Sequence, residues 1–276
     1  MKKENFLGLS ERVIELGKQA EQYLTPYFAR IDEIADYNTQ KVLAAFRAHR
    51  VSDTMFAGTT GYGYDDHGRD TLEEIYADLF GTEAGLVRLG FVNGTHALSC
   101  ALFGALEPGD VMLSVTSAPY DTLLNTVTGD CPGSMKRYGI GYRQVDLKDG
   151  RLDLEAIEKA AAADDVKMVF LQRSRGYAVR QTLSCAEIGE ACAVVRRVNP
   201  NAVIMVDNCY GEFTEELEPT QVGADMCAGS LIKNPGGGLA PIGGYIVGKK
   251  SCIEQASYRL SAPGLGKEVG ASLGLN

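Results

Sequence analysis

The chain has 276 residues, 45% of them apolar, and a formal net charge of −9. That size supports one large domain or two small ones with a sizeable core, and the acidic balance argues against a nucleic-acid binder, which needs concentrated Lys and Arg. The start, MKKENFLGLSERVIELGKQAEQ, has no continuous apolar run, so it reads as neither signal peptide nor membrane anchor, and the cytoplasm is the expected location.

The first fifty residues carry apolar positions three and four apart in two pieces, SERVIELGKQAEQYL and IADYNTQKVLAAFRAHR, and both are expected to be helical. A polar, glycine-rich stretch follows, FAGTTGYGYDDHGRDT, and then TLEEIYADLFG reads as a short amphipathic helix stopped by Gly81. From there strands and helices alternate. GLVRLGFV, VMLSV, YRQVDL, VKMVFLQ, AVIMVD, ADMCAGS and IGGYIVG read as strands. GTHALSCALFGAL, DTLLNTVTG, LDLEAIEKAAAA, SCAEIGEACAVVRRVNP and CIEQASYRL read as the helices between and after them. Such alternation predicts crossover units and an α/β fold with a mostly parallel sheet. Ligands in these sheets bind at the carboxyl ends of the strands, so the residues just after each strand matter most.

Four strand ends stand out. In VNGTHALSCALFGAL the turn Asn93-Gly94-Thr95 opens a helix whose first N–H groups favour an anion; it is either a phosphate cradle or an ordinary cap. In AVIMVDNCYGEF an apolar run ends on Asp207, which could hold a metal, a helix start or a protonated ring nitrogen, or cap its own loop. AGSLIKNPGGG places Lys233 26 residues after Asp207, with Ser230 before it and Gly236 to Gly238 after it, where backbone could pass close to a ligand. In SAPYDTLLNTVTG, Tyr120 could lie against a flat ligand, or be a plain core or surface tyrosine. The seven cysteines form no CxxC pair and no zinc pattern, and several sit in apolar text as reduced thiols. An anion-binding helix start, a stacking ring, a strand-tip carboxylate and a lysine together make a complete set for pyridoxal 5'-phosphate.

With those residues in hand, the sequence resembles fold-type I pyridoxal-phosphate enzymes of the Cys/Met-metabolism branch, and within it the methionine gamma-lyase-like or aluminium-resistance group. The resemblance is carried by TTGYGYDDHGRDTLEEIYADLFGTE, RLGFVNGTHALSCALFGAL, VFLQRSRGYAVRQTLS, IMVDNCYGEFTEELEP and GSLIKNPGGGLAPIGGYIVG. It implies a three-layer α/β/α large domain, assembled as homodimers or homotetramers with shared sites. It implies Lys233 as the Schiff-base lysine, Asp207 beside the pyridine nitrogen, Gly94, Thr95 and Ser230 on the phosphate, and Tyr120 on the ring. Tyr64 corresponds to the tyrosine that reaches the phosphate of a neighbouring subunit. Where the branch has an arginine two residues later this chain has Asp66, and Arg69 is the expected substitute. One of Gln172 to Ser174 should sit near the ring hydroxyl. His67 is expected to fill a turn rather than assist catalysis.

The expected organisation is an N-terminal helical segment, 1–55, and a cofactor-binding domain, 56–276, without the smaller C-terminal domain that holds the family's substrate-carboxylate arginine. The implied activity is carbon–sulfur bond cleavage in a sulfur-containing amino acid. An aminotransferase or aldol-type lyase would use the same lysine and aspartate, and a non-catalytic fragment or scaffold is the contrasting class.

Overall fold

Seven strand segments are present among the residues, 7–274, that this computed structural model describes. The opening MKKENF of the expected 1–55 segment and the last two residues of the expected 56–276 domain lie outside them. The strands are β1 (Ala84–Arg88), β2 (Val111–Ser114), β3 (Gly141–Gln144), β4 (Val166–Gln172), β5 (Val203–Asp207), β6 (Met226–Ser230) and β7 (Gly244–Gly248). They form one sheet in the order β1-β7-β6-β5-β4-β2-β3. Only β7 runs against its neighbours, so the sheet is mostly parallel, as expected.

The helices are α1 (Glu11–Ala48), α2 (His67–Phe80), α3 (Gly94–Ala105), α4 (Asp121–Thr128), α5 (Leu154–Ala161), α6 (Cys185–Val198) and α7 (Lys250–Leu260). Alternate strand residues point to opposite faces. Val169, Leu171, Ile204 and Val206 pack with Ile75, Phe80, Ile157, Ile188 and Val195 from α2, α5 and α6. Met168, Phe170 and Met205 pack on the other face with Leu98, Leu102, Leu123 and Ile253 from α3, α4 and α7. Both faces are covered, which is the three-layer α/β/α arrangement and explains strands that are apolar almost throughout.

Several boundaries differ from expectation: β1 stops at Arg88, short of Val92, β3 stops at Gln144, short of Leu147, and the first two helices differ more. α1 is one helix of 38 residues, not two, and Pro26 lies inside it. Proline removes one N–H from the helix ladder, and on this exposed stretch water can satisfy the freed carbonyl. α2 begins four residues earlier than the apolar periodicity suggests, because Asp66 caps it by accepting from Arg69 N at 3.0 Å.

That cap belongs to a clip between the 58–66 loop and the chain near residue 270. Asp66 also accepts from Thr59 Oγ1 at 2.5 Å and from the Ser272 hydroxyl. Gly270 N donates to Tyr62 O at 2.8 Å, and Leu273 N to Thr59 O at 3.1 Å. The Arg69 guanidinium donates to Gly63 O at 2.6 Å and Gly270 O at 2.9 Å and pairs with Asp70. Asp66→Ala removes a cap and strands two hydroxyls, so we predict a loss of about 2–3 kcal/mol. Urea unfolding checks it; a midpoint unchanged from the parent would show that the clip carries no stability.

Candidate functional site

β4 and β5 end level with one another, and β6 runs on beside them. Gln172 stands opposite Asp207, Asp207 stands opposite Ala228, and Ser230 closes β6 two residues on. The chemistry-bearing side chains therefore gather at one rim of the sheet.

Asp207 is 2% exposed and its Oδ1 accepts from Cys209 N at 3.1 Å. Burial raises its pKa, opposed by the Cys209 hydrogen bonds and the Lys233 charge. Lys233 follows β6, is half-buried, and holds its Nζ 4.1 Å from the centre of the Tyr210 ring. Burial opposes its charge, but Cys209, Tyr210 and Asp207 more than offset that, and its pKa is raised. Tyr210 has φ of 70°, a left-handed conformation unusual for a non-glycine residue, and this sharp turn sets its ring under the ammonium.

The α3 start closes the opposite side. Asn93 caps it by accepting from His96 N at 3.0 Å, leaving the Gly94 and Thr95 N–H groups at the helix tip. A Cβ on residue 94 would meet Ser230 Cβ at 3.1 Å and Cys209 Sγ at 3.3 Å, so glycine is what lets this tip sit against β5 and β6. Thr95 Oγ1 shares a 2.7 Å hydrogen bond with the Tyr120 hydroxyl. Tyr120 N donates to Gln172 Oε1 at 2.8 Å, and Gln172 Nε2 donates to Ser174 O at 3.0 Å. Burial pushes the Tyr120 phenol up, so it stays protonated. Ser230 is brought to the cradle but fully buried, its Oγ accepting from Ile232 N at 3.3 Å.

The structure thus brings together Gly94, Thr95, Tyr120, Asp207, Ser230 and Lys233. It does not bring Tyr64 to them within one chain: Tyr64 is exposed and stacks on Tyr62 at 5.8 Å. Arg69 cannot take the expected phosphate role, because it is 3% exposed and bound to the clip. Of Gln172 to Ser174, Arg173 is turned away to Asn208, Gly211 O and Glu215, at 2.8, 2.8 and 2.5 Å, which leaves Gln172 and Ser174 near Tyr120. The glycine run also has a local cause: a Cβ on Gly236 would strike Leu231 O at 1.8 Å, so the tight turn after Lys233 requires it. His67 is an exposed first residue of α2.

Cys209 and Tyr210 were not expected from the sequence. Their only signal was position, immediately after the Asp207 strand tip. Behind them lies Glu212, 1% exposed, whose Oε1 accepts from Tyr245 OH at 2.9 Å while Oε2 has no partner. Burial pushes its pKa to about 8, so it is neutral at pH 7.

A methionine gamma-lyase family model matches residues 13–276. The chain belongs to that family. It is 56% identical over 248 residues to the uncharacterized protein YnbB of Bacillus subtilis, covering 88% of this chain and 59% of YnbB. It is 28% identical over 221 residues to the L-methionine gamma-lyase of Pseudomonas putida, covering 79% of this chain and 50% of that protein. Among solved structures, a carbon-sulfur lyase involved in aluminum resistance from Clostridium novyi superposes with a TM-score of 0.93 at 47% identity, over 96% of this chain and 64% of that one. The pyridoxal-5'-phosphate dependent protein YhfS of Escherichia coli shares the fold at 18% identity and a TM-score of 0.63. The chain of this methionine gamma-lyase family member thus spans 59% of YnbB and 64% of the Clostridium chain. No helix among the described residues is long and apolar enough to cross a membrane.

The raised Glu212 pKa has a sign. The folded protein holds a proton there that the unfolded chain releases near its ordinary value of 4.5, so stability falls as pH rises from there through about 8. Asp207 and Glu218 are raised too and act in the same direction. We predict that Glu212→Gln, which keeps the Tyr245 bond, flattens part of this fall. Unfolding free energies at about pH 5 and pH 8 test it; an unaltered slope would mean Glu212 does not titrate in that range.

Proposed function

We propose that this chain binds pyridoxal 5'-phosphate on Lys233 and serves a carbon–sulfur lyase acting on a sulfur-containing amino acid. The observation that carries this reading is the meeting at Cys209. Its backbone N–H bonds Asp207, its Sγ lies against Gly94, and its thiol interacts with the Lys233 charge. An amine, a buried carboxylate and a helix tip thus surround one point.

The residues fit that cofactor. The bare Gly94 position, with the Gly94 and Thr95 N–H groups and Ser230 behind, suits its phosphate. Asp207, whose burial disfavours its own charge, gains a partner in a protonated ring nitrogen. Lys233 Nζ is the amine for the aldehyde, and the Tyr120 ring, tethered by Thr95 and Gln172, is placed to stack on the ring plane. Bound there, the cofactor supplies a conjugated ring that takes up the electron pair left when a substrate Cα–H bond breaks. Lys233 Nζ receives that proton, and Asp207 keeps the ring nitrogen charged while it does so. The names of the Pseudomonas and Clostridium relatives support cleavage of a carbon–sulfur bond.

We further propose a cytoplasmic homodimer or homotetramer, with residues 56–276 as the cofactor-binding domain and α1 as an arm laid on a second copy. Tyr23, Tyr27, Phe28 and Ile31 on α1 are at least half exposed, more apolar surface than a lone helix leaves in water. Tyr64 would then approach the neighbouring copy's phosphate.

Borohydride reduction of the cofactor-treated chain followed by peptide mapping should place the label on Lys233. Label on another lysine, or none in folded protein, sinks the reading. Asp207→Asn should still take up cofactor but slow Cα–H exchange of the best amino-acid substrate by ~10²–10⁴. Exchange at the parent rate would remove Asp207 from its role. Release of a thiol with a 2-oxo acid identifies lyase turnover; a 2-oxo acid with no thiol would instead mark an aminotransferase.

A further inference from the structure

The three fully buried arginines each have a carboxylate partner: Arg69 with Asp70, Arg88 with Glu73, and Arg173 with Glu215. Arg180 does not. It is half-buried, and its guanidinium donates only to backbone carbonyls: Nη1 to Gln181 O at 2.8 Å, Nη2 to Gln172 O at 2.8 Å and to Ser174 O at 2.5 Å. Burial lowers its pKa with no acidic group offsetting the cost. A guanidinium has five N–H donors, so the Nε–H and one Nη1–H stay uncommitted. A charge held this firmly and left without a countercharge is expensive unless a ligand supplies one.

Arg180 lines a cleft of about 400 Å³ together with Tyr120, Gln172, Arg175 and Tyr177. Arg175 adds a second positive charge and is exposed. The one acid on this cleft, Asp121, sits in the first turn of α4, where the helix start favours its charge. The cleft shares Tyr120 and Gln172 with the site around Lys233. Because Gln172 binds Arg180 through its carbonyl and Tyr120 through its side chain, the guanidinium is fixed relative to the stacking ring.

We propose that Arg180, with Arg175 beside it, is a carboxylate-binding subsite that holds a carboxylate group of the amino-acid substrate on the far side of Tyr120. A planar fork with two free donors matches the two oxygens of a carboxylate, and its carbonyl anchors orient it in advance. The substrate part of this inference rests on the lyase reading; the carboxylate site itself does not.

The test is calorimetric titration of the full 276-residue chain with succinate at low salt. The parent should bind, Arg180→Lys should weaken binding about tenfold or more, and Arg175→Glu, an exposed change that spares the fold, should weaken it comparably. Arg143→Gln, which breaks only an exposed pair with Asp165, should leave binding unchanged. No binding by the parent, or parent-like binding by Arg175→Glu and Arg180→Lys, overturns the subsite. Inorganic phosphate binding more tightly than succinate through the same two arginines overturns its assignment to a carboxylate. Reductive labelling of Lys233 reports separately. Label present with no succinate bound removes the subsite and keeps the lyase reading. Arginine-dependent succinate binding in a chain that takes no label keeps the carboxylate site and removes the lyase reading.

Discussion

Everything at the candidate site depends on the parallel register of three neighbouring strands. Parallel pairing of β4 to β5 and β5 to β6 sets Gln172, Asp207 and Ala228 in one row. Below that row the strands are apolar on both faces and closed off by helices. Polar groups can appear only where the strands end, so the change from core to chemistry happens across one residue step. A register slip of one residue in β5 would turn Asp207 into a helix layer and break the cluster without removing a single atom.

A second polar layer stands behind the first. Arg173 joins Asn208, Gly211 and Glu215, Asn208 donates to Glu218 Oε2 at 2.9 Å, and Tyr245 links Glu212. Such a network is costly when half satisfied and rigid when complete. It fixes the turn after β5, including the left-handed residues Tyr210 and Phe213, and so sets where Cys209 and the Tyr210 ring stand relative to Lys233. The strain of those two residues is held by the hydrogen bonds around them.

Much of the fold is legible in the sequence. Runs such as VKMVFLQ and AVIMVD are short, apolar and β-branched, which suits buried strands, and the residues at their ends gather at one rim of the sheet. Apolar spacing picks out two pieces at α1, because the stretch between them is exposed, Pro26 included, and a local window does not show that the helix continues through it. Asp66 and Arg69 were weighed against a phosphate contact when both serve the 58–66 loop, since their partners Ser272 and Gly270 lie at the other end of the chain. Cys209 was one thiol among seven, and Arg180 one of three arginines in RSRGYAVRQ; only the fold sets Cys209 against Gly94 and Arg180 on the cleft.

The clip between the loop and the distal chain also sets a timetable. Asp66 and Ser272 are 206 residues apart, so at the usual pace of ~5–20 residues per second a ribosome makes the second on the order of ten to forty seconds after the first. The sheet core can assemble in that interval, since β1 to β6 are all made before residue 231. The loop carrying Tyr62 and Tyr64 cannot be latched until residues 270–273 are made. The rim that carries these tyrosines therefore sets after the sheet core beneath it. A nascent chain therefore carries a formed core under a loop that is still free to move.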